Sequence, residues 1–201
     1  MRVALVDYGA GNLQSVRNAL RAAGADNIVV TADPDAVRSA DRIVLPGVGA
    51  FAHCMGALSS IAGMVDALNE ATGTRAVPFL GICVGMQLMA DAGEEHGTHA
   101  GLGWVNGRVR LMETADTSIK IPHMGWNDVV PAQQHPLIEP GEAYFLHSFA
   151  YDGDDVIATT EHGGAVVAAI GRDNRIGVQF HPEKSQKYGL QFLSRFLEWR
   201  P

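Results

Sequence analysis

The sequence predicts an α/β protein: a doubly wound, mostly parallel sheet with an antiparallel or mixed extension and helices on both faces. In the first half, short apolar runs alternate with segments whose apolar residues recur at three and four, the pattern of βαβ units. In the second half, short strands follow one another, separated by turns that contain Gly, Asp and Pro. Composition agrees: of 201 residues, 47% are hydrophobic and 18% charged, which suits a buried core and not a disordered chain. No long linker, low-complexity tract or internal repeat divides the chain, so one domain over 1–201 is expected.

RVALVDY (2–8) is a short apolar run ended by Gly and Asn, hence a buried strand. LQSVRNALRAAG (13–24) has helical spacing and stops at Gly24, a natural C-cap. NIVVT (27–31) is a second strand, and RIVLPG (42–47) a third, broken by Pro-Gly. FAHCMGALSSIAGMVDALNE (51–70) reads as one long helix. VPFLGIC (77–83) is a fourth buried strand, and VGMQLMADAG (84–93) a short helix after it. GRVRLM, NDVV, AYFLHSFAY, DVIATTE, AVVAAIGR and RIGVQF are the later strands. KYGLQFLSRFLEWR (187–200) closes the chain as an amphipathic helix.

Several function classes are set aside. The net charge is −7, with no basic face for nucleic acid. No apolar run reaches the length of a membrane span. MRVALVDYGAGN reads as a first strand and turn, not a signal peptide, so a cytoplasmic location is expected. The two cysteines, Cys54 and Cys83, match no metal spacing and are too few for a disulfide framework. Cys54 reads as a small buried hydrophobe. His96 and His99, in EEHGTHAG, read as a solvated Gly-rich loop and not a metal site. His53 belongs to a helix face; His135 and His162 sit in turn-like stretches. No metal or organic cofactor is expected.

Cys83 is different. Gly81-Ile82-Cys83-Val84-Gly85 stands where a buried strand hands over to a helix, the sequence form of a nucleophile elbow with Cys in place of Ser. Glycines on either side allow a tight turn and close backbone approach. Helix amides following the thiol would favour the thiolate, and the Val84 amide can donate to an oxyanion. A thiol needs a base. His181 follows the apolar run that ends at Phe180, and Pro182 fixes the backbone between His181 and Glu183. Strand ends of α/β sheets are where sites form. Cys83, His181 and Glu183 thus supply the nucleophile, base and orienting carboxylate that acyl transfer requires.

GICVGMQ together with QFHPE resembles the class I (triad) glutamine amidotransferases, and the resemblance covers the chain from VDYGAGN to HPEKSQ. It implies a doubly wound α/β fold that hydrolyses glutamine and delivers ammonia to a synthase. Carried over, Cys83 matches the nucleophile, His181 the general base and later acid, and Glu183 the orienting carboxylate. Gln87 matches a side chain that helps hold glutamine. Pro46 to Gly49, with Gly47, Val48 and Gly49, matches the strand that supplies a second oxyanion amide. Ser148 and Phe149 match a segment whose backbone meets the amino-acid end of glutamine. Within the family, DYGAGNLQSV, PGVGAF, PHMGWN and HPEKSQ are most similar to the branch that serves histidine biosynthesis. That branch implies a (β/α)8-barrel cyclase as partner in a heterodimer. The cyclase uses the ammonia to make imidazole glycerol phosphate and an aminoimidazole carboxamide ribonucleotide. His123, Met124, Trp126 and Asn127, with Asn12, Lys184 and Ser185, are the expected partner contacts. Ser185 has a second reading, as a cap of the last helix, and Trp126 as core packing. The loop ADAGEEHGTHAGLGW is expected to lie outside the chemistry. The rival readings are a glutaminase for another synthase, a cysteine hydrolase on a similar fold, and a non-catalytic subunit.

Overall fold

The computed structural model describes residues 1–114 and 118–201. The chain begins as two βα units, β1 (Arg2–Val6), α1 (Leu13–Ala22), β2 (Asn27–Thr31) and α2 (Pro34–Arg38). Helix α1 starts where Asn12 accepts a hydrogen bond from the Ser15 amide, and its last turn gives way to Gly24 at φ +108. Helix α2 was not expected from sequence, although Asp33 caps it and Pro34 occupies its first turn. β3 (Arg42–Gly47) follows, wholly buried. The Pro-Gly pair does not break it: Pro46 pairs in register with Ile82 and Gly47 with Cys83.

The long helix expected over 51–70 is two helices, α3 (Phe51–Ser60) and α4 (Met64–Asn69), bent by 95°. Ile61 turns extended and Gly63 takes φ +79, a left-handed conformation that ends one helix and starts the next. A single π turn, Glu70–Thr74, leads on to β4 (Phe79–Cys83) and α5 (Val84–Gln87). The helix expected over 84–93 stops after this one turn. Leu88 and Met89 are fully buried, and the chain then enters β5 (Ala90–Gly93), paired in parallel with a later strand. Tertiary burial has overridden a helical pattern here.

The second half supplies β6 (His99–Ala100), β7 (Val105–Leu111), β8 (His123–Pro131), β9 (Gly141–His147), β10 (Phe149–Gly153), β11 (Val156–Glu161), β12 (Ala165–Arg172), β13 (Arg175–Val178) and α6 (Gln186–Glu198). The expected strand 143–151 is in fact two, β9 and β10, in different sheets.

The large sheet has the order β2-β1-β3-β4-β13-β12-β11-β8-β9. Its first five strands are mutually parallel; β12, β11, β8 and β9 continue it antiparallel. A second, four-stranded sheet, β10-β7-β5-β6, is an addition to the single sheet the sequence suggested. Strand β13 therefore lies in the middle, although it is the last strand made. Phe180 stacks edge-on against Phe145 and Phe192, at 6.0 and 5.6 Å between ring centres, and so seals α6 onto the large sheet. Among the described residues no single helix is long and apolar enough to cross a membrane.

Candidate active site

Three strand ends meet at the carboxyl edge of the parallel block. Gly47, the last residue of β3, is in register with Cys83, the last of β4, and β13 runs on through Gln179 and Phe180 to His181. At Cys83 the backbone takes φ +54 and ψ −112, a region that L residues enter only under constraint. The constraint is interlocked glycines. A Cβ on Gly47 would come within 2.7 Å of the Gly85 amide nitrogen and 2.8 Å of the Tyr8 hydroxyl. One on Gly81 would meet the Gly85 carbonyl at 2.5 Å, and one on Gly85 would fall inside van der Waals reach of the Leu45 carbonyl oxygen. Only hydrogen at these positions lets the elbow sit against β3.

The elbow opens on a cavity of about 260 Å³. Cys83, His181, Gln87, Val84, Val48, Gly49, Ser148 and Phe149 all line it, so the predicted catalytic and substrate-facing positions converge, with Gly47 just behind. His181 Nδ1 is 2.8 Å from Glu183 Oε1, both side chains almost wholly buried. Burial opposes charge on His181, but its hydrogen bonds to Cys83 and Glu183, and their negative charge, outweigh this and push it up to about 9. The arrangement is an imidazolium held between a sulfur and a carboxylate.

The strand end at Pro46–Gly49 is pinned from below. Tyr8 Oη donates to the Pro46 carbonyl at 2.7 Å, and Cys54 Sγ to the Val48 carbonyl at 3.4 Å. Burial pushes both the Tyr8 hydroxyl and the Cys54 thiol up, so both stay neutral. Cys54 is buried as expected, and it also holds a backbone carbonyl.

Four residues at the site were not singled out from sequence. Gln179 is fully buried; its Nε2 donates to Cys83 Sγ at 3.6 Å, and its Oε1 accepts from Gln87 Nε2 at 3.0 Å. A lone amide in the apolar run RIGVQF was the available signal. His147, Leu146 and Glu95 also line the cavity. Glu95 comes from the loop expected to lie outside the chemistry, and there its carboxylate accepts from the Phe51 amide at 2.9 Å.

The expected partner contacts divide. Met124 and Trp126 are 65% and 47% exposed, so Trp126 is not core, and Lys184 is exposed with its ammonium 5.6 Å above the Tyr144 ring. Asn12 is exposed as the cap of α1. Ser185 and His123 differ from expectation: both are buried. The Ser185 hydroxyl accepts from the Tyr144 amide and donates to the His181 carbonyl, at 2.9 and 2.7 Å, so its side chain neither faces a partner nor caps α6. His123 points inward because β8 alternates, with Met124 and Trp126 on the opposite side. Among the described residues no group of three His, Cys, Asp or Glu is arranged to hold a metal.

A family model described as "Glutamine amidotransferase class-I" matches residues 4–199. The chain belongs to the class I glutamine amidotransferase family. The amidotransferase is 62% identical to the imidazole glycerol phosphate synthase subunit HisH of Zymomonas mobilis, covering 99% of this chain and 96% of that protein. It is 53% identical to the subunit of the same name from Rhodospirillum rubrum, over the full length of both. Among solved structures it resembles one described as a glutamine amidotransferase, with TM-score 0.74 at 16% identity and 97% of each chain covered. It also resembles a GMP synthase protein from Thermoplasma acidophilum, with TM-score 0.69 at 22% identity, covering 98% of this chain and 92% of that one. These two likenesses show the α/β fold that the amidotransferase shares with both structures.

Proposed function

We propose that this chain, as one amidotransferase domain over 1–201, is the glutaminase subunit of an imidazole glycerol phosphate synthase. The supporting observation is a buried thiol and imidazole lining a cavity of about 260 Å³, with a buried carboxylate on the imidazole, in a chain near-collinear with subunits of that name. Cys83 is the nucleophile. Its thiolate attacks the side-chain amide carbon of glutamine, and the C=O electron pair moves to oxygen. The Val84 amide and an amide of the Gly47–Gly49 strand donate to that oxyanion. His181 gives its proton to the departing nitrogen, the C–N bond breaks, and ammonia leaves a glutamyl thioester. Water, deprotonated by His181, then releases glutamate and restores the thiolate. Glu183 keeps the imidazole oriented. Both Nε2 hydrogens of Gln87 are used within the protein, so its Oε1 is the atom left to receive glutamine.

The partner in this reading is a (β/α)8-barrel cyclase that takes the ammonia. Met124, Trp126 and Leu146, all exposed on β8 and β9, form an apolar strip, and Leu146 continues it to the cavity with Val48. That strip and Lys184 are the docking face.

The experiment is glutamate release measured for the chain alone, with a barrel cyclase, and with that cyclase plus its nucleotide ligand. Strong activity only in the third sample is expected. Strong activity from the chain alone, indifferent to the cyclase, would keep the chemistry and remove this partner. A pH profile adds a second check. The proton that His181 gives to ammonia is held until about pH 9, so kcat/KM is expected to fall as pH rises through that value. A profile flat through it would take His181 out of the acid role.

A further inference from the structure

The side chains between β8 and the thiol, all but the first of them buried, form with the Phe149 carbonyl one continuous chain of hydrogen bonds. Asn127 Nδ2 lies 3.0 Å from His123 Nε2, His123 Nδ1 3.1 Å from His147 Nε2, and His147 Nδ1 2.9 Å from the Phe149 carbonyl oxygen. The same carbonyl accepts from Gln87 Nε2 at 3.0 Å, Gln87 Nε2 also reaches Gln179 Oε1 at 3.0 Å, and Gln179 Nε2 reaches Cys83 Sγ at 3.6 Å. The mechanism above uses only the last side chains of this series.

The chemistry of its ends fixes its direction. A carbonyl oxygen can only accept, so His147 carries its proton on Nδ1 and presents Nε2 as a lone pair. His123 must then donate from Nδ1, which leaves its Nε2 as acceptor. The Asn127 amide nitrogen can only donate, and it does so, sending its other hydrogen to the Glu161 carbonyl at 2.8 Å. Every link is satisfied in one arrangement. Reversing either imidazole sets two hydrogens or two lone pairs face to face, and protonating either one does the same at its Nε2. Stacking of His123 between Phe145 and His162, at 4.6 and 4.2 Å between ring centres, holds the ring in place.

We infer that His123 and His147 are positioning residues for the glutaminase reaction: through the Phe149 carbonyl they hold the Gln87 carboxamide, and with it Gln179 against the thiol, in a single orientation. This rests on the function proposed above. Loss of the His123 donor lets His147 reverse its tautomer; its Nδ1 lone pair then opposes the strand-held Phe149 carbonyl oxygen, and the Gln87 carboxamide that shares this oxygen is no longer compelled to present Oε1 to glutamine. The effect therefore falls on how glutamine is held more than on bond breaking.

The test pairs a spectrum with kinetics. Long-range 1H–15N correlation spectra of the imidazoles are expected to show both His123 and His147 protonated at Nδ1 only. His123→Phe keeps a ring in the stack and removes the donor. With the cyclase and its nucleotide ligand present, it is expected to raise KM for glutamine about tenfold while kcat stays within about threefold. His123→Asn, which sets an amide hydrogen where Nδ1–H stood, is expected to recover most of that loss. An Nε2-protonated His147 in the parent, or an unchanged KM in a folded His123→Phe protein, would overturn the inference. If His123→Phe does not fold, the parent's tautomers decide alone. Absence of glutamate release from the parent would overturn the function reading instead, because the tautomers are read without turnover.

Discussion

A Cys83→Gly protein is expected to release no glutamate and yet to be more stable than Cys83→Ala. Both substitutions remove the sulfur, so glutaminase turnover should fall by at least about 10⁴-fold in either. They part over the backbone. Residue 83 sits at φ +54 and ψ −112, where a Cβ is strained by about 1–3 kcal/mol. Alanine keeps that Cβ; glycine does not, at an entropic cost of roughly 0.5–1 kcal/mol in the unfolded chain. The difference should favour glycine by about 1 kcal/mol. Urea unfolding midpoints, with glutamate assays in the presence of the cyclase, check both halves. Retained turnover would remove Cys83 from the chemistry. An alanine variant at least as stable as the glycine one would mean that the turn stores no strain.

Gly85→Ala is expected to be among the most damaging additions of a single methyl group. The added carbon has nowhere to go, because what it meets is the Leu45 carbonyl oxygen, backbone of a wholly buried strand, with the Pro46 carbonyl carbon 3.4 Å away. A flexible side chain could yield; two packed strand ends cannot. We expect a loss of at least about 3 kcal/mol, beyond ordinary overpacking. Gly56→Ala is the matched control. It lies at an exposed position of helix α3 with nothing within 4 Å of its new Cβ, and should gain about 0.5–1 kcal/mol. Equilibrium denaturation of the two variants decides. A Gly85→Ala protein with parental stability would show that α5 can move away from β3, and the close-approach account of the elbow would fail.

How far the sequence showed all this depended on the kind of signal. Apolar strands between glycines are local, so β1, β3 and β4 and the elbow at Cys83 were legible, as was His181 with its carboxylate two residues on. What long-range packing decides was not. Residues 51–70 keep helical spacing on both sides of Gly63, and nothing in that spacing reports that Gly63 turns left-handed. Residues 88–93 look helical until a second sheet claims them as β5. Gln179 is one amide in a run of apolar residues, and its role appears only once β13 is laid beside β4. His123 was visible as a polar residue in a distinctive segment, but which side of β8 it faces depends on register, and a shift of one residue reverses that.

The strand that carries His181 toward the thiol is the last to be synthesised, and it is inserted between β4 and β12, strands made earlier. Within the large sheet, it is the strand that joins the first four parallel strands to the antiparallel ones. During synthesis, then, the nascent chain holds a cysteine without a base for nearly a hundred residues, from position 83 to position 181. Domains fold as units, and contacts this distant in sequence close late. A chain released before position 181 would carry the thiol without the imidazole and carboxylate that the proposed glutaminase chemistry needs.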